Sequence, residues 1–258
     1  MKKFVDVSKP MLVSMVTETE LKSAVACVAN SIYGGADALG FGLGFLKKEY
    51  RNEEDLDRIF SACAGKPVYL YSYPEVESSG FTHEECAEYL VFAAKSALKY
   101  GAVICDVMCD MFGKTPGGFS DDPVTVEKQM AFAEKIHSIG AEVLYSVHHT
   151  EFLGEEEIMR QAREQVRRGG DVVKIVTKAN TREELISNID IITKIKKEID
   201  APLIYLSSGK YSYTVRQVGI AFGVDICLCV EHYNELTNKI QPSLASSRAI
   251  RDNLIIVD

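Results

Sequence analysis

Short β-forming runs and amphipathic stretches alternate eight times along this chain. The runs cover residues 11–16, 36–43, 68–73, 103–108, 142–147, 171–176, 202–206 and 224–230. Each is rich in Val, Ile, Leu or Tyr, residue types that suit a pleated, buried surface. Helical stretches follow them at 19–33, 53–63, 82–99, 124–138, 155–168, 181–199, 214–222 and 244–254. In the first, Leu21, Val25, Val28, Ala29 and Ile32 fall on one face. Thr82 with Glu85, and Thr181 with Glu184, carry the capping-box pattern. Gly34-Gly35, Gly140, Gly169-Gly170 and Gly223 mark helix ends. Each unit takes roughly thirty residues, the size of a βα crossover. Eight such units predict an α/β chain closed into a (β/α)8 TIM barrel. An open doubly wound sheet is the competing reading. It calls for a glycine-rich nucleotide loop after the first strand, and Ser14-Met15-Val16-Thr17-Glu18 is not one. No linker divides the 258 residues, so a single domain over 1–258 is expected.

Composition narrows the partners. The net charge of −8 argues against nucleic acid, while leaving room for a local basic pocket. No apolar run reaches membrane-spanning length, and Met1-Lys2-Lys3 does not lead into a secretory signal. The seven cysteines lie mostly in apolar runs. They read as buried free thiols of a reducing compartment, hence a cytoplasmic protein. Cys105 with Cys109, and Cys227 with Cys229, lack structural-zinc spacing, so no metal is expected.

A barrel makes the polar residues legible, because barrel active sites gather at the C-terminal strand ends. Lys174 sits inside Asp171-Val172-Val173-Lys174-Ile175-Val176. An ammonium there must be neutralised, paired or used. Used, its free amine attacks a carbonyl to form a Schiff base. The plainer alternative is a lysine paired with an inward carboxylate. His148 ends the fifth run, Asp106 comes late in the fourth, and Glu77 lies beyond the third. Ser207 and Lys210 follow the seventh, and Arg216 opens the next helix. Lysine, histidine and carboxylates at one mouth suit proton transfer beside a carbonyl. His148 could instead be a satisfied core histidine, and Asp106 an ordinary interior ion-pair partner. His149 could point away from the mouth. His83, His137 and His232 read as surface or capping residues. Gly40, Gly42 and Gly44 recur at period two, so one face there has no side chains. Either another element packs closely against it, or a pocket is widened there.

Taken in order, these residues resemble the type I 3-dehydroquinate dehydratase family, the Schiff-base enzymes of the shikimate pathway. Met11-Leu12-Val13-Ser14 resembles that family's first strand. Val103-Ile104-Cys105-Asp106 resembles its fourth, Ser146-Val147-His148 its fifth, and Val173-Lys174-Ile175 the strand of its imine lysine. The resemblance implies Lys174 as nucleophile and His148 as general acid/base, with Glu77 and Asp106 supporting the histidine. It makes Arg216 the carboxylate clamp, and Ser14, Tyr73 and Ser207 join it as expected substrate contacts. It implies no cofactor, a small keto acid or hydroxy ketone as substrate, and a homodimer as an open reading. The chain departs from the pattern as well. Gly40 and Gly42 replace a substrate-binding glutamate and arginine, Tyr73 replaces an arginine, and Ile240 and Leu244 replace a serine and a glutamine. These changes remove charge and are expected to add room. A class I aldolase and a ligand-binding barrel without turnover are the alternatives.

Overall fold

The computed structural model describes residues 3–5, 9–74, 81–237 and 239–254. The first four βα units are β1 (Met11–Val16), α1 (Leu21–Tyr33), β2 (Ala38–Gly42), α2 (Glu53–Ala62), β3 (Val68–Tyr71), α3 (His83–Ala97), β4 (Val103–Met108) and α4 (Pro123–Ser138). The next four are β5 (Glu142–His148), α5 (Glu155–Arg167), β6 (Val172–Lys178), α6 (Arg182–Glu198), β7 (Leu203–Ser208), α7 (Ser212–Val218), β8 (Ile226–Cys229) and α8 (Leu244–Asn253). All ladders are parallel, in the order β7-β6-β5-β4-β3-β2-β1-β8. The two ends meet at Asp225. Its N–H donates to the Leu203 carbonyl at 3.0 Å, and its carboxylate accepts from the Leu203 N–H at 2.7 Å. The result is a (β/α)8 barrel.

Side chains alternate across each strand, so every strand has an inner and an outer set. Val13, Met15, Tyr69, Ile104, Leu144, Val172, Ile204 and Leu228 fill the barrel interior. Leu39, Leu70, Cys105, Val143, Ile175 and Tyr205 face outward against the helices. Phe4 closes the base. It is buried, and its N–H donates to Glu142 at 2.5 Å. Burial raises the Glu142 carboxyl above its ordinary range.

Both capping boxes form, with Thr82 and Glu85 closing the start of α3 and Thr181 and Glu184 that of α6. One expected helix is divided: α7 stops at Val218, and a 3-10 turn covers Gly219–Phe222. β2 ends at Gly42, which leaves Gly44 outside the strand. All seven cysteines are buried thiols, and none is in a disulfide. No helix among the described residues is long and apolar enough to cross a membrane.

Candidate active site

Parity carries chemistry inward on three adjacent strands. Ile104, Leu144 and Val172 belong to the interior, so Asp106, Ser146 and Lys174, two residues further on, also point in. Lys174 Nζ lies 2.8 Å from Asp106 Oδ2 and 3.0 and 3.3 Å from the hydroxyls of Tyr69 and Tyr73. Asp106 is fully buried and Lys174 nearly so. The carboxylate also accepts from Tyr69, from Tyr73 at 2.5 Å and from Ser146 Oγ at 2.5 Å. Burial works to raise the Asp106 carboxyl. The Lys174 charge and the hydrogen bonds from Lys174, Ser146 and Tyr69 outweigh it, and its pKa falls below the ordinary value. Both tyrosines are pushed well above their usual range, first by burial and then by the Asp106 charge.

α5 supports the lysine from outside. Gln165 accepts from the Lys174 N–H at 3.0 Å and donates to its carbonyl at 3.1 Å, so one amide fixes that backbone unit on both sides.

His148 stands above this cluster. Its ring meets Tyr73 edge-on at 5.6 Å between centroids. Part of the residue reaches solvent, but Nε2 is enclosed and has no hydrogen-bond partner among the described residues. Burial, then the charge of Lys174, lower its pKa to about 3, so the ring is a neutral base near pH 7. Arg216 forms the far wall. Its Nε donates to the Ser207 carbonyl at 3.2 Å and its NH1 to Gln241 Oε1 at 2.7 Å. Burial lowers its pKa to about 10.

Lys174, His148, Tyr73 and Arg216 line one cavity of about 360 Å³ at the C-terminal mouth. Thr17, Ser208 and Gln241 add polar atoms, and Phe45, Leu236 and Ile240 apolar ones. A larger groove of about 650 Å³ runs over α4 and α5, but it lies outside the barrel and contains none of these groups.

Two expected contacts lie elsewhere. Ser14 faces α1, where its Oγ meets Ser31 Oγ at 2.8 Å. Ser207 is fully buried and alternates with the interior residues Ile204 and Leu206, so its side chain faces outward; Ser208 reaches the cavity in its place. Both corrections follow from strand parity. Asp106, expected to support His148, instead bonds Lys174, two tyrosines and Ser146; no hydrogen bond joins it to His148 among the described residues. Glu77 lies outside the described residues. Lys210 stacks on Tyr211 away from the cavity. His149 Nε2 pairs with Gln161 at 2.8 Å, between the strands and α5. Leu244 packs in the outer layer at the start of α8.

Tyr69 and Gln241 escaped sequence reasoning. Tyr69, Tyr71 and Tyr73 recur at period two, which puts three hydroxyls on one face and was readable. Gln241 adjoins Ile240 in a loop, where no period applies.

The glycines do not widen the pocket. A Cβ at Gly40 would stand 2.3 Å from Met15 Sδ, and one at Gly42 2.6 Å from both Phe45 and the Tyr71 hydroxyl. Neighbouring side chains already fill the space. The expected gain in room is absent, and what changes is polarity.

The comparisons with known proteins agree with this architecture. A family model described as Type I 3-dehydroquinase matches residues 12–254. A 3-dehydroquinate dehydratase of Alkaliphilus oremlandii is 36% identical over 93 residues, which span 35% of this chain and 36% of that protein. The 3-dehydroquinate dehydratase structure from Geobacillus kaustophilus superposes with a TM-score of 0.80 at 14% identity, covering 96% of this chain and 92% of that one. The type I enzyme of Clostridium difficile, solved with covalently modified comenic acid, gives 0.79 at 14% identity, with 96% and 93% covered. The match from β1 through α8 places the chain in the type I 3-dehydroquinase family.

Proposed function

We propose that this chain is a Schiff-base lyase that dehydrates a β-hydroxy ketone carrying a carboxylate. The observation that carries this reading is the shared cavity: Lys174, His148 and Arg216 all line it. Lys174 attacks the ketone as the free amine, its proton leaving to solvent through the cavity mouth. Loss of water leaves an iminium, which acidifies the neighbouring carbon. His148 Nε2 removes that proton to give an enamine. The enamine expels the β-hydroxyl, which leaves as water with the proton that His148 returns. Hydrolysis of the conjugated imine frees Lys174. Arg216 holds the substrate carboxylate, a task that suits a guanidinium. Glu77 is assigned to holding His148.

The substrate differs from 3-dehydroquinate in being less polar. Where the family carries charged contacts, Met15, Phe45, Tyr69 and Tyr71 occupy the space beside Gly40 and Gly42. A site without matching partners binds a polyhydroxy acid weakly. The test is reductive trapping: borohydride with a panel of β-hydroxy keto acids, read by peptide mass spectrometry. An adduct on Lys174 and release of a dehydrated product support the reading. An adduct with aldehyde release would make the protein an aldolase instead.

The hydrogen bonds that tie Lys174 to Asp106, Tyr69 and Tyr73 favour one second reading, a barrel that binds its ligand without turnover. Ligand binding without any trapped adduct would select it.

A further inference from the structure

Beside the pocket, where the first and last βα units meet, three donor atoms converge from separate elements. Glu18 follows β1, Cys27 lies on α1 and His232 follows β8. One ligand atom from each lies within 4.8 Å of the other two. Cys27 is buried, Glu18 partly buried and His232 exposed, so the cluster is open to solvent at the histidine.

The histidine is oriented for a cation. Its Nδ1 meets Glu231 Oε2 at 2.6 Å, which makes that nitrogen the donor. Its Nε2 then faces Glu18 Oε1 at 3.0 Å. The nitrogen and the carboxylate oxygen thus face one another across a gap that either a proton or a metal ion bridges. Asn234 Nδ2 also donates to Glu18 Oε1, at 3.0 Å. A carboxylate holding the far nitrogen of a ligating imidazole is a recurrent support for a bound metal. Thiolate, imidazole and carboxylate together suit zinc-class ions rather than calcium or magnesium.

We propose that Glu18, Cys27 and His232 bind one thiophilic divalent cation, with Glu231 positioning His232. Tetrahedral ligands at about 2.0–2.3 Å from zinc stand roughly 3.3–3.7 Å apart. Separations of up to 4.8 Å within the cluster therefore have to close by about 1.5 Å at most. On binding, the Cys27 thiol loses its proton to solvent and its sulfur bonds the metal; no electron is transferred. Water completes the fourth position.

The cation also fastens a loop. His232 opens the β8–α8 connection that carries Leu236, Thr237, Ile240 and Gln241 over the pocket. That connection already touches the end of β1 through Asn234 Nδ2 to the Thr17 carbonyl at 3.3 Å and Thr237 Oγ1 to Thr17 Oγ1 at 3.2 Å. A bound metal adds a further tie, which also reaches α1 through Cys27.

The test is titration of the chelator-treated chain with Co²⁺, followed by displacement with Zn²⁺. The expected result is one Co²⁺ per chain with tetrahedral ligand-field bands and a thiolate-to-cobalt charge-transfer band, all abolished by Zn²⁺. Cys27→Ser should lose the charge-transfer band and bind at least about tenfold more weakly. His232→Gln, at an exposed side chain, should keep that band and lose affinity to a similar degree. It carries the test alone if the cysteine variant does not fold. A charge-transfer band that survives Cys27→Ser, a purely octahedral Co²⁺ spectrum, or unchanged affinity in His232→Gln would each overturn the proposal.

Discussion

Asp106 and Lys174 meet at 2.8 Å in the barrel interior, the aspartate fully buried and the lysine nearly so. Removing one partner of a buried ion pair leaves the other charge uncompensated and costs about 3–5 kcal/mol. Lys174→Met should therefore abolish imine trapping and also destabilise the protein. The loss should fall at the low end, because Tyr69, Tyr73 and Ser146 still donate to Asp106. Urea unfolding of Lys174→Met, Asp106→Leu and the double variant measures it. The double variant should be less destabilised than the sum of the singles, by about 2 kcal/mol. Simple additivity would show that the two charges do not depend on each other.

His148 makes stability depend on acid. Unfolded, its pKa is about 6.5; folded, it falls to about 3. Below pH 6.5 the unfolded chain takes up a proton that the folded ring refuses. Stability from this residue is full above that pH and declines as pH falls toward 3. Between pH 7 and pH 5 the decline is about 2 kcal/mol. Denaturant titrations at both values should show that loss in the wild type and lack it in His148→Gln. Asp106, with its lowered pKa, adds a further loss only below about pH 4. Identical slopes in wild type and variant would place the imidazole in water.

Arg216 is buried, and among the described residues its partners are a carbonyl and an amide, not a carboxylate. Arg216→Gln should weaken binding of a carboxylate-bearing ligand by about 1.5–3 kcal/mol, roughly 10- to 150-fold. It should change folding stability by less than about 1 kcal/mol, unlike Lys174→Met, because no ion pair is broken. Calorimetric binding of a keto acid alongside thermal unfolding separates the two effects. A large fall in Tm with unchanged affinity would reassign Arg216 to the scaffold.

Turnover of 3-dehydroquinate should be slow even with the chemistry intact. Two missing charged contacts at about 1.5–3 kcal/mol each lower kcat/KM by about a hundredfold or more. Tyr73 does not restore them, since its hydroxyl already donates to Asp106. Absorbance of the conjugated product, followed beside an ordinary family member, gives the ratio. A value within about tenfold, or roughly 1.4 kcal/mol, would mean the polar residues were dispensable.

The barrel was legible because strand and helix alternate at a regular interval and glycines and capping boxes mark the ends. Lys174 and His148 were legible because strand position sends them to one mouth, and Arg216 because it lies on the helix just past β7. Ser14 and Ser207 were not. Strands covered on both faces carry apolar residues at every position, so nothing in Met11-Leu12-Val13-Ser14 says which set points inward. A slip of one residue exchanges the faces, and that slip separates Ser207 from Ser208. The pairing of Asp106 with Lys174 joins residues 68 positions apart and depends on barrel closure, not on any local pattern.

The packing beside Gly40 and Gly42 sets what rebuilding charge on this wall would require. Reinstating an acidic or basic side chain at Gly40 would drive its first carbon into Met15, and at Gly42 into Phe45 and Tyr71. At Gly40 the obstacle is the flexible thioether end of Met15, which swings aside; at Gly42 it is an aromatic ring and a phenol hydroxyl. A charged residue at Gly42 therefore needs Phe45 or Tyr71 to move or be trimmed as well. The two glycines are thus unequal handles for redesign: charge is rebuilt more readily at Gly40 than at Gly42.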